Sequence, residues 1–163
     1  MNTQAWIDRL GLLPHPEGGF YKETYRAGFQ VTPDQGPTQG LSTSAVTSIY
    51  YMLEGEDFSA FHRIAYPEIW YYHDGEPLTV HEISPDGIYQ ARTLGKGEGQ
   101  VLSLVVEPGV WFAAELPGKQ GYGLVSCAVA PGFDFGVFEM GKKQELLNQF
   151  TGYEAILNRL SKT

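Results

Sequence analysis

The stretch Phe58–Glu76, FSAFHRIAYPEIWYYHDGE, decides how the rest of the chain is read. Two runs of β-forming residues, Phe58–Ile64 and Glu68–His73, flank the turn Ala65-Tyr66-Pro67. Alternate side chains of a strand share a face. The first run therefore predicts Phe58, Ala60, His62 and Ile64 on one side, with Ser59, Phe61, Arg63 and Ala65 on the other. In the second run Glu68, Trp70 and Tyr72 share a face. A hairpin that sets this face beside His62 brings an imidazole and a carboxylate together among aromatic rings.

Working outward, the chain is punctuated by turns. Before the stretch, Thr3–Leu10 has Trp6, Ile7 and Leu10 at helical spacing, with Thr3 as the expected cap and Gly11 as the stop. Gly18-Gly19 marks a turn or bulge, and Phe20–Arg26 alternates as a strand. Val31–Gly40 reads as a loop and Leu41–Leu53 as one long strand. After the stretch, Leu78–Ile83 and Ile88–Leu94 form a hairpin about Ser84-Pro85-Asp86-Gly87. Val101–Val106, Val110–Glu115 and Tyr122–Ala130 follow as strands, and Phe133–Met140 as a short one. Lys142–Phe150 and Tyr153–Leu160 read as terminal helices. Nine or ten short strands, with helices only at the ends and no strand–helix alternation, argue against a doubly wound parallel sheet. They predict an all-β sandwich or jelly-roll barrel formed by residues 1–163 as one domain.

Composition narrows the function. The net charge is −8, and the chain holds 20 glycines, 10 prolines and a single cysteine. No basic patch exceeds Lys142-Lys143, which argues against a nucleic-acid polymer as partner. One cysteine, Cys127 in the apolar run LVSCAVA, excludes an internal disulfide and a Cys-rich zinc site, and reads as core. No apolar run is long enough to span a bilayer and no signal peptide is apparent, so no membrane partner and a cytoplasmic location are expected.

His15 and Glu17, in LLPHPEGGF, read either as site residues or as an exposed turn histidine and acid, the second being the commoner case. The segments LGLLPHPEGGFYKETYR (10–26), STSAVTSIYYMLEGEDFSAFHR (42–63), PEIWYYHDGEPL (67–78), EPGVWFAA (107–114) and GYGLVSCAVAPGFDF (121–135) together resemble the cupin-5 family (DUF985) of the RmlC-like cupin superfamily. The resemblance implies a cupin double-stranded β-helix, a jelly-roll barrel, with short helices at the N- and C-termini, and a homodimer.

The resemblance also shows a departure. In the first cupin motif His62 matches the first histidine, Ile64 stands at the second, Glu68 matches the acid and Gly75 the closing glycine. In the second motif Gly109 matches, Glu107 replaces a proline and Phe112 replaces the histidine. Two of four usual ligands are apolar, so no metal and no other cofactor are expected, three or four donors being the norm for a divalent site. His73 offers a third donor only if a bulge turns it toward Glu68.

Without a metal, His62 and Glu68 read as an acid/base pair, with Tyr72 as a phenolic partner. Tyr50, Trp70, Trp111, Phe112 and Arg26 read as ligand-binding groups, Arg26 for an acidic group on the ligand. Similarity to the metal-free cupin sugar epimerases implies an isomerase or epimerase acting on a carbohydrate-like or nucleotide-like small molecule, with His62 as base. A non-catalytic ligand-binding module with an aromatic pocket fits the same residues. So, for the aromatics, does plain core packing.

Overall fold

A computed structural model describes residues 1–163. In chain order the strands are β1 (Leu13–Pro14), β2 (Phe20–Arg26), β3 (Gln30–Val31), β4 (Thr43–Ser44), β5 (Thr47–Glu54), β6 (Phe58–Ile64), β7 (Glu68–Gly75), β8 (Leu78–Ile83), β9 (Tyr89–Leu94), β10 (Ser103–Val106), β11 (Trp111–Glu115), β12 (Tyr122–Val129) and β13 (Phe138–Met140). Helix α1 (Thr3–Leu10) precedes them, and α2 (Lys143–Gln149) and α3 (Glu154–Leu160) follow. A six-stranded sheet in the order β1-β2-β5-β12-β7-β10 faces a five-stranded sheet in the order β13-β6-β11-β8-β9. All pairings within these two sheets are antiparallel. This is the expected all-β jelly-roll with helices at its two ends.

Three apolar layers hold it together. Between the sheets lie Tyr51, Leu53, Trp70, Leu78, Val80, Val106, Phe112, Leu116 and Val125, all essentially buried. Helices α2 and α3 cover the outer face of the five-stranded sheet, where Leu146, Phe150, Leu157 and Leu160 meet Phe61, Ile83, Trp111 and Ala113. Helix α1 covers part of the other outer face, with Trp6, Ile7 and Leu10 against Leu12, Met52 and Leu124. Each sheet thus buries residues of both alternation classes, which is why strand β8 is buried along its whole length.

The structure departs from the sequence reading in four places. Asn2, not Thr3, caps α1, its side-chain oxygen accepting from Ala5 N at 2.9 Å. Leu41–Leu53 is not one strand: Ala45 and Val46 separate β4, paired with β3, from β5. Phe133–Met140 begins with a 3-10 turn over Phe135–Val137 and becomes strand only at Phe138. Strand β6 carries an irregularity opposite β11, whose register steps from Phe112↔His62 to Ala114↔Ser59. Phe58 therefore joins Phe61 under the C-terminal helices instead of sharing a face with His62. A second irregularity, between Leu124 and Val125, lies opposite His73 in β7. His73 stays on the exposed side, its Nε2 2.5 Å from Ser126 Oγ.

Candidate functional site

One end of the space between the sheets is unfilled. A cavity of about 220 Å³ opens there, and its polar wall is formed by His15, Glu17, His62, Glu68, Thr47 and Cys127. That volume is small for a ligand site and suits a small molecule. Phe133, Phe135 and Phe138 form an apolar wall, with ring centroids 5.4–6.1 Å apart.

The segment His15–Gly19 makes the floor. It is the turn between β1 and β2, closed by His15 N→Gly19 O (2.9 Å) and Gly18 N→His15 O (3.1 Å). Gly18 has φ +115°, and a Cβ there would lie 2.0 Å from Phe58 O; one on Gly19 would lie 2.6 Å from Met52 O. Only glycines let the turn approach the backbones of β5 and β6 this closely. Ala60 N donates to Glu17 O at 3.0 Å, and Tyr51 Oη donates to Gly18 O at 2.6 Å. The close approach carries the Glu17 side chain into the barrel, where the residue is 7% exposed. Lys162, beyond α3, donates to Pro16 O at 2.5 Å from the outer side.

Glu17 lies between two imidazoles. Its Oε2 is 3.2 Å from His62 Nε2, and its Oε1 is 3.6 Å from His15 Nδ1. His62 Nδ1 is 2.7 Å from Ala60 O. A carbonyl only accepts, so Nδ1 carries the proton and Nε2 of the neutral ring is left with a lone pair. Glu17 N donates to His15 Nδ1 at 3.2 Å, which leaves His15 unprotonated at that nitrogen. The rings of Phe112 and Phe138 enclose His62, at centroid distances of 4.1 and 5.3 Å.

Burial decides where the protons sit. It pushes Glu17 up to about 8, against a favourable Ser59 hydroxyl and the Lys162 charge. It holds His62 down to about 4, against the Ala60 carbonyl. His15 is lowered to about 4 by burial and by the neighbouring His62. Glu68 is raised to about 8 by burial and then by the Glu17 carboxyl. Burial thus favours the uncharged form of the Glu17–His62 pair, with one proton between Oε2 and Nε2, and a second acid raised in the same direction, Glu68, nearby.

Of the residues singled out from the sequence, His62, Glu68 and Arg26 line the cavity. The close partner of His62 is Glu17; Glu68 makes no hydrogen bond to it. Tyr72 does not line the cavity and donates to Gly75 O at 2.6 Å. Tyr50 lies on the outer face of the six-stranded sheet beside α1 and His73, because that face is covered there too. Trp70 is 1% exposed in the inter-sheet core. Trp111 packs in the layer under α2 and α3, with Arg63 stacked on its ring. Phe112 is core and supports the His62 ring from behind. Arg26 is engaged by Glu23 through Nε (3.1 Å) and Nη2 (2.7 Å).

The donor set does not fit the usual metal centre of this fold. Ile64 lines the cavity and Phe112 sits behind His62, where further ligands would stand. No three His, Cys, Asp or Glu side chains converge as a ligand set. No helix is long and apolar enough to cross a membrane.

The model of the cupin superfamily DUF985 family, Cupin_5, matches residues 4–141. The chain belongs to that family. A Saccharomyces cerevisiae relative, the uncharacterized protein YML079W, is 29% identical over 165 residues, spanning 94% of this chain and 82% of the yeast protein. A solved structure of a hypothetical protein from Leishmania major superposes with a TM-score of 0.91 at 32% identity, over the whole of both chains. Protein SO0799 from Shewanella oneidensis gives a TM-score of 0.90 at 33% identity, over 99% of this chain and 98% of that one. The matched region of this Cupin_5 chain includes Glu17, His62 and Glu68 and ends just before α2.

Proposed function

We propose that this cupin transfers protons on a carbohydrate-like small molecule, as a metal-independent isomerase or epimerase whose working pair is Glu17 and His62. The observation that carries the reading is the 3.2 Å contact between Glu17 Oε2 and His62 Nε2 in the cavity wall, with His62 Nδ1 tied to Ala60 O. One partner holds a proton and the other a lone pair. Glu17 gives its proton to a ligand carbonyl oxygen, and His62 Nε2, freed from that hydrogen bond, takes the proton from the adjacent carbon. The ligand becomes an enol and the site becomes a carboxylate–imidazolium pair. Reversal on the other face or at the other carbon returns an epimer or an isomer, and the pair recovers its first state. An acid with its pKa near the working pH is suited to this exchange. The Phe133, Phe135 and Phe138 wall holds the apolar face of the ligand.

The test is deuterium wash-in. Aldoses, ketoses and their nucleotide-linked forms are incubated with the protein in D₂O and followed by proton NMR. Exchange at a carbon beside a carbonyl is expected with the wild type. Its loss is expected in Glu17→Gln and in His62→Gln, with the fold intact by circular dichroism. A ligand that binds without exchange would replace this reading with a non-catalytic binding module. Exchange unchanged in both variants would remove the pair from the mechanism.

A further inference from the structure

The acids around the cavity outnumber its cations, whichever of them hold protons. Glu17, Glu23, Glu68 and Asp134 line it, against a single fixed cation, Arg26. That cation is already paired: Nε and Nη2 are on Glu23, and Nη2 also donates to Phe133 O at 3.0 Å. The other nearby cation, Lys162, serves Pro16 O and is not part of the wall. His15 Nδ1 accepts from Glu17 N, and burial holds the His62 imidazole down. An entering anion would shed its water and meet carboxyl groups with no free cation to replace that hydration. Low-dielectric walls concentrate such a field instead of screening it. An entering cation meets acids able to ionise toward it, and aromatic faces at Phe133, Phe135 and Phe138.

We infer that the cavity excludes anions and selects a small ligand that is uncharged or carries an amino group. The inference uses the cavity assigned under the proposed function and narrows its substrate class. Free sugars and amino sugars remain, whereas sugar phosphates and sugar nucleotides are rejected.

The chain supplies its own probe, since Cys127 is its single cysteine and lines the cavity. Two charged methanethiosulfonates of similar size, trimethylammonium-ethyl and sulfonatoethyl, are compared at pH 8 with the smaller neutral methyl reagent. In each case the Cys127 thiolate displaces methanesulfinate and forms a mixed disulfide, read by intact mass. Each rate is divided by that of the same reagent with 2-mercaptoethanol, and Cys127→Ser reports any background. The cationic reagent is expected to lead the anionic one by at least tenfold. Glu23→Gln, which frees Arg26, is expected to shift the ratio toward the anion. A normalised ratio of one, or an inverted ratio, would overturn the inference. The charged reagents are read against the neutral one, so the slow reaction of a buried thiol that burial and Glu68 push up cancels from the ratio. No turnover enters the measurement. A failed charge ratio therefore leaves the proton-transfer reading standing, and absent deuterium exchange leaves the charge selection standing.

Discussion

The four buried titratable groups of the site make stability fall on the alkaline side of pH 6.5. Unfolded, Glu17 and Glu68 titrate near 4.5 and His15 and His62 near 6.5; folded, the acids move up to about 8 and the histidines down to about 4. Between pH 4.5 and 6.5 the folded chain keeps two acid protons that the unfolded chain has lost. Over the same range the unfolded chain gains two imidazole protons that the folded chain refuses. The two imbalances nearly cancel. Above 6.5 only the acid imbalance remains, and the folded state binds two more protons than the unfolded one. Its stability then drops with rising pH by about 3 kcal/mol per pH unit, at about 1.4 kcal/mol per proton. From pH 6.5 to 8 the loss is about 4 kcal/mol, a large share of the 5–15 kcal/mol typical of a folded domain. The acid-stabilised term is full below 4.5 and lost as pH rises through 8. The histidine term is full above 6.5 and lost as pH falls through 4, and His73 and His81, also lowered by burial, add to that acid-side loss. The assay is thermal unfolding in constant ionic strength at several pH values from 5 to 8. A fall in Tm of about 10 °C between pH 6.5 and 8 is expected. Glu17→Gln, which imitates the protonated acid and also relieves Glu68 of the Glu17 charge, should cut the slope by more than half, and Glu17→Gln with Glu68→Gln should flatten it. A wild-type profile flat from 6.5 to 8 would refute the reasoning, since it would mean that both carboxylates are ionised in the native site at neutrality.

The remaining predictions concern the supports of the site and the barrel. Gly18→Ala places a Cβ 2.0 Å from Phe58 O and is expected to cost about 3 kcal/mol or more by urea unfolding. Gly36→Ala, also at positive φ but with open space around it, should cost only about 1 kcal/mol. Glu115 is buried against His81 Nε2 (3.0 Å), Lys119 and Arg159; Glu115→Gln should cost about 2 kcal/mol in the same assay, because two half-exposed cations lose their partner. Leu157→Ala, in the fully buried layer between α3 and the five-stranded sheet, should cost about 3 kcal/mol and leave the deuterium-exchange and thiol readouts unchanged.

Much of the fold was legible in the sequence because turns and alternation are local. The hairpin about Pro85-Asp86-Gly87, the run Phe20–Arg26 and the stop at Gly11 all depend on residues next to one another. His62 and Glu68 were legible for the same reason, through the motif that frames them. Glu17 was harder to place, since nothing local distinguishes an exposed turn acid from one carried into a barrel. The available signal was Gly18-Gly19: two glycines directly after an acid allow a backbone approach that drives the preceding side chain inward. Even so, the surfaces approached, Phe58 O and Met52 O, lie more than 30 residues away. The aromatic assignments followed from reading one strand face as the site. Trp70 lies between the sheets, Trp111 under α2 and α3, and Tyr50 beside α1, so both faces of the strands are buried. Alternation distinguishes inside from outside only when one face is wet. The irregularity in β6 removed even that guide at Phe58.

The bond from Lys162 to Pro16 O spans 146 positions, nearly the length of the chain. Loop closure over such a separation comes late in folding and contributes to slow assembly. The turn that presents Glu17 is made early in synthesis, yet its outer brace is the product of a segment that lies beyond the family's matched region. Ribosome-bound intermediates that have completed the two sheets but not residue 162 would carry the whole polar wall of the cavity around an unbraced floor.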